Sequence, residues 1–234
     1  SGVTTSLPDV ITPRWSTQIG SGYCGPTVAD GRVYVMDRLD EAKEIERVHC
    51  LDWQTGKILW NYEYDCSYAG VSYRAGPRCS VLIDDGFAYS LGTMGNLLCF
   101  DAKTGEVVWQ HDLNKTYEID MPIWGISASP IIEGNRLIVP VSGTDAYLVA
   151  FDKKSGKEDW RAFSDRGNYS APIVIDQAEQ RVLICWSGDR ILGTDPATGT
   201  LHWEHPLKAK NMPLACASPV LHGDLLVLPA VYDG

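Results

Sequence analysis

The chain repeats itself, and that repetition limits what it can fold into. Val48–Tyr64 reads VHCLDWQTGKILWNYEY. The pattern returns as LLCFDAKTGEVVWQHDL (Leu97–Leu113), LVAFDKKSGKEDWRAFS (Leu148–Ser164) and ILGTDPATGTLHWEHPL (Ile191–Leu207). The shared skeleton is Asp-x-x-Thr/Ser-Gly-x-x-x-Trp. It is carried by Asp52, Thr55, Gly56 and Trp60; Asp101, Thr104, Gly105 and Trp109; Asp152, Ser155, Gly156 and Trp160; and Asp195, Thr198, Gly199 and Trp203. A period of this size marks a stacked or radial array, in which each unit buries its apolar face only against the next.

Each copy reads as strand, tight turn, strand. Apolar and β-branched residues precede the Asp. The Gly supplies the positive φ that the turn demands. The Asp oxygens suit backbone N–H groups within the turn, so the recurring aspartates read as turn caps rather than as four catalytic carboxylates. The Trp closes each unit, and a lone hairpin cannot bury it. Cys50 and Cys99 occupy one repeat position, filled by Ala150 and Gly193 in the other copies, which reads as a small buried slot.

A second half-unit alternates with the first: Cys24–Asp37, Gly76–Gly92, Ala128–Gly143, Ser170–Gly188 and Ala217–Gly234. Each shows an apolar strand, a polar turn and another apolar strand, and most carry a Pro at the entry, where no ladder N–H is needed. Joining the halves predicts four strands, A to D, per repeat. The blades run about Gly22–Tyr64, Ala75–Leu113, Ser127–Ser164 and Tyr169–Leu207. A lone D-type strand at Pro13–Ile19 carries Trp15, and an A–B hairpin at Ala217–Gly234 is the other part of a partial blade. Residues Ser1–Thr12 read as a loose N-terminal segment, and 13–234 as one all-β propeller of four-stranded antiparallel blades. The count is compatible with a piece of a larger ring, with a small ring whose last blade mixes both ends, or with two copies completing one another. The charged run Asp37–Arg47 (DRLDEAKEIER) reads as a solvated loop with at most one helical turn.

The acidic balance, 30 Asp and Glu against 20 Lys and Arg, offers no basic patch for phosphates and argues against nucleic acid. No run reaches the length of a membrane helix. The histidines at 49, 111, 202, 205 and 222 share no metal-ligand spacing. Cys66 and Cys79 flank one loop and are candidates for a disulfide in an oxidising compartment, although seven cysteines leave at least one thiol free.

The D-x-x-T-G-x-x-x-W units, with their A-S-P entries, resemble the PQQ-like (quinoprotein alcohol dehydrogenase-like) β-propeller repeat family over essentially Trp15–Gly234. The resemblance implies a propeller of up to eight blades in which the repeat Trp docks between blades, here Trp15, Trp60, Trp109, Trp160 and Trp203. It also implies a periplasmic or secreted location. Members include dehydrogenases that use pyrroloquinoline quinone and Ca²⁺, the propeller lipoprotein of outer-membrane protein assembly, and proteins of unknown role. The dehydrogenases' adjacent cysteine pair has no counterpart here, and no acidic cluster has cation-loop spacing.

Neither a catalytic residue nor a metal ligand is therefore assigned, and the expectation is a binding scaffold without cofactor. One alternative is a quinone- and Ca²⁺-dependent alcohol or sugar dehydrogenase completed by further sequence, with Arg74, Arg78 and Trp124 as its residues here; another is an outer-membrane protein assembly propeller. In a propeller the D-to-A and B-to-C loops share one face. The D-to-A loops hold the candidate ligand- or partner-binding residues Tyr73, Arg74, Arg78, Trp124 and Tyr169, with Asn211 and Met212 in the last such loop. The partner is an unnamed protein or small molecule, or a second copy if the ring is incomplete.

Overall fold

In the computed structural model, residues 12–207 and 215–229 are described. Residues 1–11 of the loose segment expected at the N-terminus, Asn211 and Met212, and the last residues of the final hairpin lie outside them. Four antiparallel sheets of four strands follow one another along the chain, each in the order A-B-C-D. The first holds β1 (Thr27–Ala29), β2 (Arg32–Leu39), β3 (Ile45–Asp52) and β4 (Ile58–Asp65). The second holds β5 (Leu82–Asp84), β6 (Phe87–Leu91), β7 (Asn96–Asp101) and β8 (Val107–Asp112), and it leads into a short helix, α1 (Leu113–Tyr117). The third holds β9 (Ile131–Glu133), β10 (Arg136–Gly143), β11 (Ala146–Asp152) and β12 (Glu158–Ala162). The fourth holds β13 (Ile173–Gln177), β14 (Gln180–Trp186), β15 (Arg190–Thr194) and β16 (Leu201–Pro206). A two-stranded sheet, β17 (Val220–His222) and β18 (Leu225–Val227), begins a fifth unit. The molecule is an all-β propeller of four blades and a partial one.

Outside the charged β2–β3 pair, the B and C strands are largely apolar runs because both their faces are covered. Successive side chains point to opposite faces of a sheet. In β7, Leu98 and Phe100 join Tyr34, Val48 and Trp60 of the first blade, while Leu97 and Cys99 join Leu137, Val139 and Phe151 of the third. The next seam joins Ile138, Leu148 and Ala150 to Leu183 and Leu192, and the last sets Ile184 and Trp186 against Leu226 of the partial blade. Every core cluster thus spans two neighbouring blades.

The repeat turn is built alike each time. Asp52 Oδ1 accepts the Thr55 N–H at 2.8 Å, Asp101 Oδ1 that of Thr104 at 2.7 Å, and Asp152 Oδ1 that of Ser155 at 2.8 Å. At the fourth, Asp195 Oδ1 accepts the Ala197 N–H at 2.7 Å. Gly56, Gly105, Gly156 and Gly199 all have φ near +70°, where any side chain is strained.

These glycines also form the seats for the tryptophans. A Cβ on Gly105 would lie 2.6 Å from the Trp60 ring, one on Gly156 2.6 Å from the Trp109 ring, and one on Gly199 2.7 Å from the Trp160 ring. Trp15 sits on Gly56 in the same way. Each ring leans on the glycine turn of the following blade. The indole N–H groups of Trp15, Trp60 and Trp109 donate to the carbonyls of Trp53, Ala102 and Lys153, each the residue after a repeat Asp, at 2.9, 3.1 and 3.1 Å. Trp203 instead donates to Gln177 Oε1 of its own blade at 2.9 Å. Opposite each Trp on the C strand stands the small residue: Cys50 faces Trp60, Cys99 faces Trp109, Ala150 faces Trp160 and Gly193 faces Trp203. The register slips by one residue just after each pair, a β-bulge repeated four times.

Three expectations from the sequence change. The charged run Asp37–Arg47 is a loop only over 40–44 and has no helical turn: β2 runs into it as far as Leu39, β3 begins at Ile45, and Asp37, Arg38 and Glu46 are buried. Their charges alternate across a long hairpin and pair locally, a pattern that charge content alone does not distinguish from a solvated segment. Cys66 and Cys79 form no disulfide, and all seven cysteines are thiols. Cys66 Sγ points to Asn96 Oδ1 at 3.8 Å, and Cys79 is buried in the seam between the second and third blades. Finally, α1 was not expected. It is a five-residue turn capped by Asp112 Oδ1, which accepts the Lys115 N–H at 3.0 Å, and it buries Leu113 and Tyr117.

Candidate functional site

The D-to-A connections converge on one open cleft of about 340 Å³. Its lining is Tyr23, Tyr73, Arg78, Trp124, Ser127, Tyr169 and Cys216. Five of these obey a single rule. Tyr23, Arg78, Ser127, Tyr169 and Cys216 each lie four residues before the first residue of an A strand: β1, β5, β9, β13 and β17. The repeat therefore places one side chain per blade on the same opening. Tyr73 and Trp124 come from the longer connections and form the wall between them.

The wall is aromatic. The Tyr73 and Trp124 rings meet edge to face, with centroids 5.8 Å apart and planes at 80°. Trp124 and Tyr169 lie 5.0 Å apart at 33°. Such pairs stabilise one another beyond the area they bury. Tyr169 is buried and its hydroxyl oxygen accepts the Trp124 backbone N–H at 3.3 Å. Burial pushes its phenol up from the ordinary value, so it remains a neutral hydroxyl. Tyr73 is 66% exposed and has φ +53°, a left-handed conformation uncommon for a residue with a side chain.

Arg78 occupies the other side and is half-buried. Its Nη1 donates to Gly76 O at 2.6 Å and Thr93 Oγ1 at 3.2 Å; its Nη2 donates to Ser72 O at 3.1 Å and Tyr73 O at 2.6 Å. The guanidinium carbon lies 5.3 Å from the Tyr23 ring centre. Thr93, from the B-to-C turn of the second blade, is fully buried and receives the Ile126 N–H at its carbonyl. Two connecting loops are thereby tied to a rigid strand end.

Of the five candidates named from sequence, Tyr73, Arg78, Trp124 and Tyr169 line the cleft, and Arg74 does not. Arg74 turns away and donates to Glu44 Oε1 at 2.6 Å, in the turn between β2 and β3. Tyr23, Ser127 and Cys216 line the cleft without having been singled out. The signal for them was present in the repeat register: each stands immediately before the small residue that opens the second half-unit (Cys24, Ala128 and Ala217).

A Ca²⁺-bound quinone asks for several carboxylate or amide oxygens converging on one cation. Among the described residues, the lining of this cleft has no carboxylate and no side-chain amide. Among the described residues no three His, Cys, Asp or Glu side chains come together as a cation site. The described residues of this cleft do not fit that cofactor. No described helix is long and apolar enough to cross a membrane.

The comparisons with known proteins agree on the architecture. The chain is 26% identical over 157 residues to a quinohemoprotein alcohol dehydrogenase ADH-IIG of Pseudomonas putida, covering 63% of this chain and 20% of that one. It is 30% identical over 161 residues to a 1-butanol dehydrogenase (quinone) of Thauera butanivorans, covering 62% and 25%. It therefore spans about a quarter or less of the length of these curated relatives. Among solved structures, BamB from Moraxella catarrhalis superposes with a TM-score of 0.59 at 17% identity, over 89% of this chain and 57% of that chain, which shows the shared fold. The family described as outer membrane protein assembly factor BamB matches residues 46–231. With that match over most of its length, and the repeat turn in each of the four blades, the chain belongs to this family of PQQ-like β-propellers.

Proposed function

We propose that the chain is a non-catalytic binding scaffold that engages its partner through the axial cleft of the D-to-A face, outside the cytoplasm. The observation that carries this reading is the convergence of five equivalent repeat positions, with Tyr73 and Trp124, on one open aromatic-walled cleft. Tyr, Trp and Arg on a rigid scaffold are the residues that anchor binding interfaces. Among the described residues, the cleft brings together no acid–base pair and no nucleophile beside a base, so this lining favours recognition over bond-making.

The second reading, a quinone- and Ca²⁺-dependent alcohol dehydrogenase, is favoured by the names of the relatives. The cleft chemistry opposes it. The test is reconstitution of purified protein with pyrroloquinoline quinone and Ca²⁺, followed by absorbance and dye-linked alcohol oxidation. The scaffold reading expects no stoichiometric uptake. One quinone bound per chain with Ca²⁺-dependent turnover would overturn it.

A further inference from the structure

The loop that carries Tyr73 has no strand partner, yet most of its carbonyls are satisfied. Ser72 O, Tyr73 O and Gly76 O accept from Arg78, and Arg74 O accepts from Arg38 Nη1 at 2.6 Å. Two guanidinium groups replace a missing ladder. Arg38 is itself held in place. Its side chain is 2% exposed, lies 4.3 Å over the Tyr68 ring, and pairs with Asp40 at 2.8 Å and Glu44 at 2.6 Å. Arg74 donates to the same Glu44 oxygen. On the far side the Ser72 N–H donates to Ile123 O at 2.7 Å, beside Trp124. The loop is thus pinned from the first blade by Arg38 and Glu44, from its own blade by Arg78, and from the next connection by Ile123.

An arginine has five N–H donors and no acceptor. Arg78 directs its two terminal nitrogens to four protein oxygens, three of them carbonyls. Those dipoles offset its charge where it stands. Among the described residues, the lining otherwise offers ring faces, two hydroxyls of the exposed Tyr23 and Tyr73, Ser127 and a thiol. The chain around it carries a net charge of −10, a field that opposes anions.

Resting on the reading of the cleft as a binding site, we propose that Arg78 is a positioning residue, and not an anion ligand: with Arg38 it holds Tyr73 as the cleft wall, and the cleft selects an uncharged, ring-bearing group over an anionic one. Tyr73 and Trp124, edge to face, then present two aromatic surfaces at a right angle to a flat guest. Arg78 holds the loop that sets their angle.

Two experiments on the full chain test this. The first is limited trypsin digestion with fragment masses, reading cleavage after Arg74 against cleavage after Lys103 and Lys154 in the repeat turns. Loss of charge-assisted hydrogen bonds in Arg78→Gln or Glu44→Gln should raise cleavage after Arg74 by about tenfold, with the reference sites unchanged. Unchanged cleavage after Arg74, or an equal rise at every site, would overturn the positioning role.

The second is ligand-observed NMR with 2-naphthol and 2-naphthalenesulfonate as probes. The expected result is that 2-naphthol binds at least about fivefold tighter, that Trp124→Ala abolishes its binding, and that Arg78→Gln weakens it. Tighter, Trp124-dependent binding of the sulfonate, lost in Arg78→Gln, would make Arg78 an anion ligand and overturn the proposal. If neither probe binds, the selectivity fails together with the reading of the cleft as a binding site. The digestion alone then decides whether Arg78 positions the loop.

Discussion

Gly156 shows how tightly a single residue is bound to its repeat. It needs φ +70° for the turn, and any Cβ would enter the Trp109 ring at 2.6 Å. Gly156→Ala therefore meets backbone strain and a clash together and should cost about 2 kcal/mol or more, read from the midpoint of urea unfolding. Asp101, on the same kind of turn, accepts the backbone N–H groups of Lys103 and Thr104. Asp101→Ala should cost about 1–2 kcal/mol for the lost bonds. The Thr104 N–H hydrogen bond is the main force holding the Asp101 carboxyl below its ordinary value; the Thr55 and Ser155 hydroxyls do the same for Asp52 and Asp152. A lowered folded value means that the stabilisation is complete above the unfolded value, about 3.9, and drains away as pH falls through the folded one. Melting temperature should therefore hold down to about pH 5 and decline below about pH 4. Constant melting temperature from pH 5 to pH 2 would contradict the turn assignment.

At the scale of the element, the β2–β3 hairpin departs most from what its residues advertise. Asp37 is fully buried, accepts Arg47 Nε at 2.8 Å and the Gly20 N–H at 2.5 Å, and stands 3.0 Å from His49 Nε2. Burial alone would raise its carboxyl; His49, Arg47 and the Gly20 N–H overcome that and lower it well below the usual range. Removing one member of a buried pair leaves the others desolvated and unpaired. Asp37→Ala should cost about 3–5 kcal/mol, more than Asp101→Ala, by the same urea titration. Equal effects would return the segment to the solvated loop its composition suggested. The repeat hairpins were legible from sequence because a local signal repeats: apolar alternation, Gly at the turn, Trp at the end. The charged hairpin was not, because the pairing that neutralises it is set by strand register. The cleft divides the same way. Tyr73, Trp124 and Tyr169 stood out as loop aromatics, and Tyr23, Ser127 and Cys216 were available from the repeat register. The different tasks of Arg74 and Arg78 depend on loop carbonyls and on Glu44, which no spacing reveals.

For the whole molecule, the seam between blades and the proposed recognition cleft use different tryptophans. Trp109 lies in the seam between the second and third blades, 9% exposed, against Tyr89, Phe151 and the Gly156 turn. Trp124 stands on a connecting loop at the cleft, against Tyr73 and Tyr169. Truncating a buried aromatic costs roughly 3–5 kcal/mol, a large share of the roughly 5–15 kcal/mol that keeps a domain folded. The most direct measurement is the thermal unfolding midpoint of Trp109→Ala and Trp124→Ala beside the unaltered chain and Asp101→Ala. The expected order of loss is Trp109→Ala, then Asp101→Ala, then Trp124→Ala with a shift small enough for cleft binding to be assayed in the same protein. If Trp124→Ala unfolds the chain most readily, the cleft aromatics are a structural plug. If Trp109→Ala is neutral, the tryptophans do not hold the blades together.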